Sequence, residues 1–509
     1  MSVARVASRA QLGLAAPPVV VEVHLGSGLP ALSIVGLPAT AVKESKERVR
    51  AALINSGFDY PAGRITVNLS PADLPKEGCR YDLPIALGIL IASEQLQVAS
   101  GLRQHEYYGE LGLSGELKPV RGLLSAAIAA DHAAHGLVVP CANVAEVSIV
   151  AAERVRGAAD LSAVCAIVSG KSSADPNDSS PTGVAACLSQ PLVGSELDLG
   201  DVRGQAAAKR ALVVAAAGQH SLLLIGPPGT GKSMLAQRLP GLLPSLQRAE
   251  AIDVAAIASL SLHGFNARTF GVRPFRAPHH TASASAIIGG GPRAQPGELS
   301  LAHHGVLFLD ELPEFDRRVL ESLREPLESG VISIARASFR VEYPAAVQLV
   351  AAMNPCPCGY LGDDSGRCRC PPTQVARYRG RISGPLLDRI DLRVEVPRVT
   401  DDDLLDAPTA PRPTDTSGLA VQVAAARARQ LIRSGKPNAA LAPRELTRDC
   451  VLDRPCRQLV GMARAKLSLS ARGVQRVLRV ARTIADLESA ESIARHHLAE
   501  AIQLRREIA

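Results

Sequence analysis

The stretch GPPGTGKS, residues 226–233, directly follows the apolar run SLLLI and precedes the helix-like MLAQRL. Gly226, Gly229 and Gly231 let the backbone curl until successive N–H groups face a polyphosphate, and the positive end of the following helix adds to them. Pro227, Pro228 and Thr230 complete the loop. Lys232 is placed to reach the β and γ phosphates, and Ser233 to ligate magnesium. Strand, glycine loop, lysine, hydroxyl and helix in this order predict an α/β nucleotide-binding core for ATP or GTP, with Mg2+ as its ion.

Hydrolysis needs a second, acidic element on a neighbouring strand. Residues 305–311 read GVLFLDE, a buried-strand pattern ending in two carboxylates. Asp310 is expected to hold magnesium through water. Glu311 is expected to polarise the attacking water, because positioning and electrostatics dominate phosphoryl transfer.

Composition bounds the rest. A chain of 509 residues with 47% hydrophobic and 21% charged content predicts two or three domains with ample cores. The apolar run LPIALGILIA, residues 83–92, is far short of a bilayer span, and the first residues lack a continuous apolar signal core, so a cytoplasmic protein without a membrane partner is expected. In that compartment the ten cysteines stay reduced. A net charge of +7 permits nucleic-acid contact without demanding it, and 3% aromatics with no Trp argues against rows of stacked bases.

Three regions separate along the chain. Residues 1–170 alternate strand-like and helix-like runs, and a polar, turn-rich linker spans 171–197. The nucleotide core occupies 198–400, with a second linker at 401–417. Residues 418–509 are helical by periodicity, with Val474, Val477, Leu478, Val480, Ala481 and Ile484 at heptad-like spacing, and read as a lid.

Several longer motifs accompany the loop: DVRGQ (201–205), PFRAPHHTAS (274–283), GELSLAHHGVLFLDELPEF (297–315), AAMNPCPCG (351–359), GPLLDRIDL (384–392) and VARTIADL (480–487). With them the core and lid resemble an AAA+ ATPase of the Mg-chelatase-like group. The whole chain resembles the YifB/ComM family, whose members join a Lon-protease-like (S5-like) α+β domain to such a motor. The resemblance implies a parallel-sheet P-loop core, a homo-hexameric ring and a C-terminal helical lid. It also implies that Asn354 is a sensor on the strand beside Asp310, able to bond the γ-phosphate and the lytic water. By the same pattern Arg389 is an arginine finger reaching the next subunit's nucleotide, with an internal pair to Asp388 or Asp391 as its alternative. Arg472 matches a second sensor arginine in the lid, and Arg476, one turn later on the same face, is the fallback.

Two segments read as insertions pointing outward toward a ring's pore. Residues 274–291, with Arg276, His279, His280 and a glycine run, resemble the helix-two insert of this clade. VISIARASFRVEY, residues 331–343, alternates like a β-hairpin and resembles the pre-sensor hairpin of minichromosome-maintenance helicases, with Arg336 and Arg340 offering phosphate contacts to DNA. A metal half-site is the other reading of His279-His280, although adjacent histidines alternate faces.

Cys356, Cys358, Cys368 and Cys370 put four thiols within fifteen residues, enough for a tetrahedral zinc shell. The CxC spacing is tighter than a CxxC knuckle, so an iron–sulfur cluster and a metal-free turn stay open beside Zn2+. The other cysteines read as small buried fillers.

The Lon-like region lacks protease chemistry. Where active Lon-type protease domains read KDGPSAG, residues 76–82 read KEGCRYD, with Arg80 in place of the serine; where Lon proteins carry their lysine in GGLKEK, residues 121–126 read RGLLSA. Without nucleophile or base the Ser-Lys mechanism cannot run. Cys79 has no histidine near it in sequence. Three functions fit: a DNA-remodelling motor for branch migration or unwinding in recombination or DNA uptake, a chelatase-type motor for metal insertion into a tetrapyrrole, and a protein remodeller that docks partners on the inactive domain.

Overall fold

The computed structural model describes residues 3–102, 104–171, 197–291, 294–335, 340–362, 366–399, 415–467 and 469–505. The chain divides into two compact units. The first is Met1–Leu192 with Arg248–Phe270 and Ala337–Glu342, and the second is Val193–Gln247, Gly271–Arg336 and Tyr343–Ala509. Most of residues 171–197 and 401–417, read as linkers, lie outside the described residues.

The first unit is built on strands β1 (Val3–Arg9), β2 (Pro18–Gly26), β3 (Ala31–Val35), β4 (Arg64–Ser70), β5 (His105–Tyr107), β6 (Gly136–Pro140) and β7 (Val155–Ala158), ordered β3-β4-β2-β1-β5-β6-β7. β1 and β4 run antiparallel to β2, whereas β5, β6 and β7 continue in parallel from β1. β1 and β2 alternate exposed and buried residues, as strands with one covered face do. The cover is the helix Asp82–Ala92, buried almost all round: the apolar run too short for a membrane is the core helix of this unit. The helix Arg248–Leu260 also belongs here. Its Ala255 and Ala256 pack with Leu124 and Ile149, Arg248 donates to the Ile149 carbonyl at 3.0 Å, and Ser259 donates to the buried Glu146.

The second unit centres on a five-stranded parallel sheet. Its strands are β8 (Leu222–Ile225), β9 (Phe275–Arg276), β10 (Val306–Leu309), β13 (Gln348–Met353) and β14 (Leu392–Glu395), in the order β9-β10-β13-β8-β14. β8, β10 and β13 are buried at every residue, which is why they read as continuous apolar runs and do not alternate. Between β10 and β13 the chain forms the hairpin β11 (Val331–Ala335) and β12 (Arg340–Pro344), which alternates as expected and whose residues Arg340–Glu342 group with the first unit. The C-terminal helices Thr416–Ser434, Pro443–Asp449, Arg454–Lys466, Ala471–Leu487 and Arg495–Gln503 pack into the same core. Along Ala471–Leu487 the heptad-spaced Val477, Val480, Ala481 and Ile484 are the buried stripe.

One expectation needs correction. Residues 274–291 do not leave the core as a single insertion, because Phe275 and Arg276 pair in parallel with Val306 and Leu307 and form the edge of the core sheet. Only the later part of the segment, with its glycine run, packs on the hairpin. A Cβ on Gly289 would lie 3.1 Å from Ile334 Cδ1, and Tyr343 donates to the Ala294 carbonyl at 2.8 Å.

Candidate ATPase site

The loop 226–233 leaves β8 and enters the helix Lys232–Leu242. Gly229 and Gly231 hold φ of +79° and +86°, the left-handed region that side chains rarely adopt. At Gly226 the constraint is space: a Cβ would fall 2.1 Å from the Val396 carbonyl oxygen at the end of β14. Thr230 Oγ1 donates to the Pro227 carbonyl at 3.0 Å and closes the loop from within.

Because β13 lies between β8 and β10, Asp310 and Asn354 at the carboxyl ends of adjacent strands meet Lys232 and Ser233 at the start of the phosphate-loop helix. The Lys232 ammonium donates to the carbonyls of Gly226 and Pro227 at 2.8 Å each and to Asn354 Oδ1 at 3.2 Å. Ser233 Oγ donates to Asp310 Oδ2 at 2.6 Å. Burial lowers the Lys232 pKa, and the charges of Asp310 and Glu311 oppose that shift. Asp310 Oδ1 accepts the Glu311 backbone N–H at 2.9 Å, and Glu311 itself stands at φ +53° with its side chain exposed. The arrangement supplies a lysine and an amide for phosphate oxygens, a hydroxyl and a carboxylate for a divalent ion, and a carboxylate for water.

Sequence reasoning missed the partner of that last carboxylate. His280 Nδ1 lies 3.1 Å from Glu311 Oε2. The rings of His279 and His280 do not point to opposite faces: their centroids are 4.1 Å apart, and His279 Nδ1 bonds Thr281 Oγ1 at 2.9 Å. The PHH motif was the available signal, but a pairing 31 residues apart depends on β9 lying beside β10.

Residues 198–404 match the family described as Magnesium chelatase, subunit ChlI; residues 21–143 match Subunit ChlI of Mg-chelatase; and residues 414–505 match the ChlI C-terminal family. The chain is 48% identical to the competence protein ComM of Haemophilus influenzae, over 99% of this chain and 98% of that protein. It is 48% identical to the YifB protein of Salmonella typhimurium over 99% and 97% of the two chains. The chain belongs to the YifB/ComM family. Its core is a Mg-chelatase-like AAA+ domain, and that membership implies ATP hydrolysis with Mg2+. The 38 kDa magnesium-chelatase subunit of Rhodobacter capsulatus is a more distant relative, 27% identical over 58% of this chain and 82% of its own length.

Of the other residues singled out by the YifB/ComM resemblance, Arg389 pairs with neither Asp388 nor Asp391. It donates to Glu328 and, at 2.8 Å, to the Pro385 carbonyl, lining a cleft of about 470 Å³ with Glu321, Arg324 and Glu325. Asp391 is instead buried against His220, Ser221 and Arg476. That contact commits Arg476 to the base of β14, while Arg472 is exposed on the first turn of Ala471–Leu487. Arg340 is exposed at the start of β12, 3.2 Å from Glu342, and Arg336 lies outside the described residues. Arg276 forks onto Glu298 at 2.6 and 2.7 Å.

The four clustered cysteines do converge. Cys356 Sγ lies 3.3 Å from Cys358 Sγ and 3.8 Å from Cys368 Sγ, Cys358 and Cys368 are 3.7 Å apart, and all four sulfurs fall within 4.8 Å of one another. Thiolates around zinc at about 2.3 Å define a tetrahedron with edges of about 3.8 Å. The Tyr360 backbone N–H donates to Cys358 and brings its thiol down to about 6. Elsewhere Cys165, Cys450 and Cys456 are buried fillers, but Cys141 is exposed, which corrects that expectation, and Cys187 lies outside the described residues.

In the first unit Arg80, read from the sequence as standing in place of a protease's serine, is buried and donates to Gln11 Oε1 at 2.8 Å and to the Arg121 carbonyl at 2.9 Å. Burial pushes the Cys79 thiol up to about 11, the opposite of an activated nucleophile. Among the described residues no helix is long and apolar enough to cross a membrane.

Proposed function

We propose that this protein is an ATP-driven motor that remodels DNA, by branch migration or unwinding, in recombination or DNA uptake, acting in the cytoplasm as a ring of six copies. The observation that carries the reading is the match along nearly the whole length of both chains to a competence protein, joined to the meeting of Lys232 with Asn354 and of Ser233 with Asp310 beside the carboxyl ends of adjacent strands. In this reading Lys232 and Asn354 hold the γ-phosphate, Glu311 polarises water, and Arg389 leaves Glu328 to reach the neighbouring subunit's nucleotide. Arg472 contributes from the lid. Ser233 and Asp310 would hold magnesium, which when bound would supply neutralisation of charge on the transferring phosphoryl group.

The hairpin β11–β12 is the DNA-gripping element, with Arg340 and, outside the described residues, Arg336 on the backbone phosphates, and His279 and His280 of the segment 274–291 are further DNA contacts. The four cysteines hold one structural zinc. An iron–sulfur cluster would spread its thiolates further apart than the observed sulfur spacing. The N-terminal unit, with Arg80 filling the former catalytic position, serves as a docking module and not as a protease.

A chelatase-type motor draws support from the family matches and from the distant 38 kDa subunit, yet that subunit aligns with little more than half of this chain. ATPase activity measured with and without single-stranded, duplex and four-way-junction DNA separates the readings. Stimulation that is largest with the junction supports the DNA motor. Activity indifferent to every form of DNA removes it.

A further inference from the structure

The cysteine cluster and Asn354 share one short piece of chain. Asn354 follows the last residue of β13, and its side chain accepts from Lys232 at 3.2 Å. Two residues later Cys356 is fully buried, and its carbonyl accepts the Gly359 N–H at 2.9 Å, closing a tight turn that carries both Cys356 and Cys358. Gly359 holds φ of +85°, and a Cβ there would lie 2.7 Å from Pro228 Cδ and 3.8 Å from Asn354 Cγ. The turn bearing the first two thiols is thus wedged between the phosphate loop and Asn354.

The second pair closes the frame from the other side. Cys368 and Cys370 immediately precede the helix Pro372–Arg379. Arg379 at its end donates to the Pro355 carbonyl at 3.2 Å. Between the two pairs the chain passes Gly362 and Gly366, both at positive φ with nothing within 4 Å of a would-be side chain. Contacts among thiols are weak, so a crosslink at the sulfurs is what would hold the two cysteine pairs together.

We propose that the metal bound by Cys356, Cys358, Cys368 and Cys370 is a brace that fixes Asn354 against the phosphate loop, making ATP turnover depend on zinc loading although the metal touches no nucleotide. The inference rests on the zinc reading of the cluster under the proposed function. It makes the four cysteines positioning residues acting through Asn354 and Pro228. Because Asn354 acts on the γ-phosphate and the water, the dependence falls on the rate of hydrolysis more than on nucleotide affinity.

The test uses the full-length protein purified without chelator. Elemental analysis comes first, with about one zinc per chain expected. Zinc is then withdrawn with a thiol-competing, zinc-selective chelator while magnesium is kept in excess. Steady-state ATPase, binding of a fluorescent ATP analogue and circular dichroism are read before removal, after it and after zinc is returned. The expected result is a fall in kcat of about tenfold or more, with the dissociation constant moving by less than about threefold, both reversed by zinc. Asn354→Ala should lose kcat similarly, and removing zinc from that variant should cost less than about twofold further, because the two changes act on one element. Absence of stoichiometric metal overturns the zinc reading itself. One zinc per chain whose removal leaves kcat within about twofold overturns the brace alone. Simultaneous loss of circular dichroism, affinity and turnover makes the metal a general fold staple and likewise overturns it.

Discussion

Ser233 on the first turn of the phosphate-loop helix and Asp310 at the end of β10 are joined by a hydrogen bond of 2.6 Å, although 77 residues separate them. The contact ties the loop that would hold phosphate to the carboxylate pair that would manage metal and water, and it exists because β13 spaces β8 from β10. Division of labour results from it. Lys232→Ala should abolish ATP binding. Glu311→Gln should keep binding and reduce turnover by about a hundredfold or more, within the range for loss of a positioned base. Equilibrium binding and steady-state ATPase on the two variants check this, and wild-type turnover by Glu311→Gln would remove Glu311 from its role.

His280 Nδ1 stands 3.1 Å from Glu311 Oε2, within reach to orient a largely exposed carboxylate. His280→Ala should lower kcat by about three- to tenfold with little change in KM for ATP, because the pair affects water activation and not phosphate contact. His280→Gln, whose amide can still donate to the carboxylate, should recover most of the rate. Equal loss in both variants would mean the ring does something other than hold Glu311.

Arg389 is held by Glu328 in the single chain. Arg389→Ala should bind ATP normally but hydrolyse it about 10³-fold more slowly or worse, as trans-acting arginines elsewhere do. Mixed with Lys232→Ala it should regain activity, since a ring pairing an intact arginine with an intact phosphate loop rebuilds some sites. No recovery in well-mixed rings would make the Glu328 pair purely internal.

On the hairpin, Arg340 pairs with Glu342 at an exposed site, and such a pair is easily exchanged for a phosphate. Arg336→Ala with Arg340→Ala should weaken binding to all DNA sequences alike and lower the salt dependence by roughly one unit of slope for each lost contact. ATP affinity should be unchanged. Fluorescence anisotropy across a salt series measures both effects, and an unchanged slope would return these arginines to ordinary surface charge.

How much the sequence disclosed depends on the range of the forces involved. The phosphate loop was legible because its constraints are local: Gly229 and Gly231 need positive φ, and Gly226 needs room beside Val396. The continuous apolar run ending in Asp310-Glu311 announced a buried strand for the same reason, whereas the strand ending at Asn354 was read from the family resemblance. The approach of His280 to Glu311 was not legible, since it arises only once Phe275 and Arg276 pair with β10. Nor was the membership of Arg248–Leu260 in the N-terminal unit, because an apolar helical face specifies burial but not the surface that covers it. Arg389 was read against its sequence neighbours Asp388 and Asp391, while Glu328, distant in the chain, is the carboxylate that the fold brings within reach.

The most direct test of the central claim is a mobile four-way junction with one labelled arm, incubated with the protein, magnesium and ATP and resolved into its duplex products. The wild-type chain should form product in a reaction that needs hydrolysable ATP, and Glu311→Gln should lose product formation with junction binding retained. Failure of the wild-type protein to yield product while it hydrolyses ATP, or equal product from Glu311→Gln, would contradict the claim.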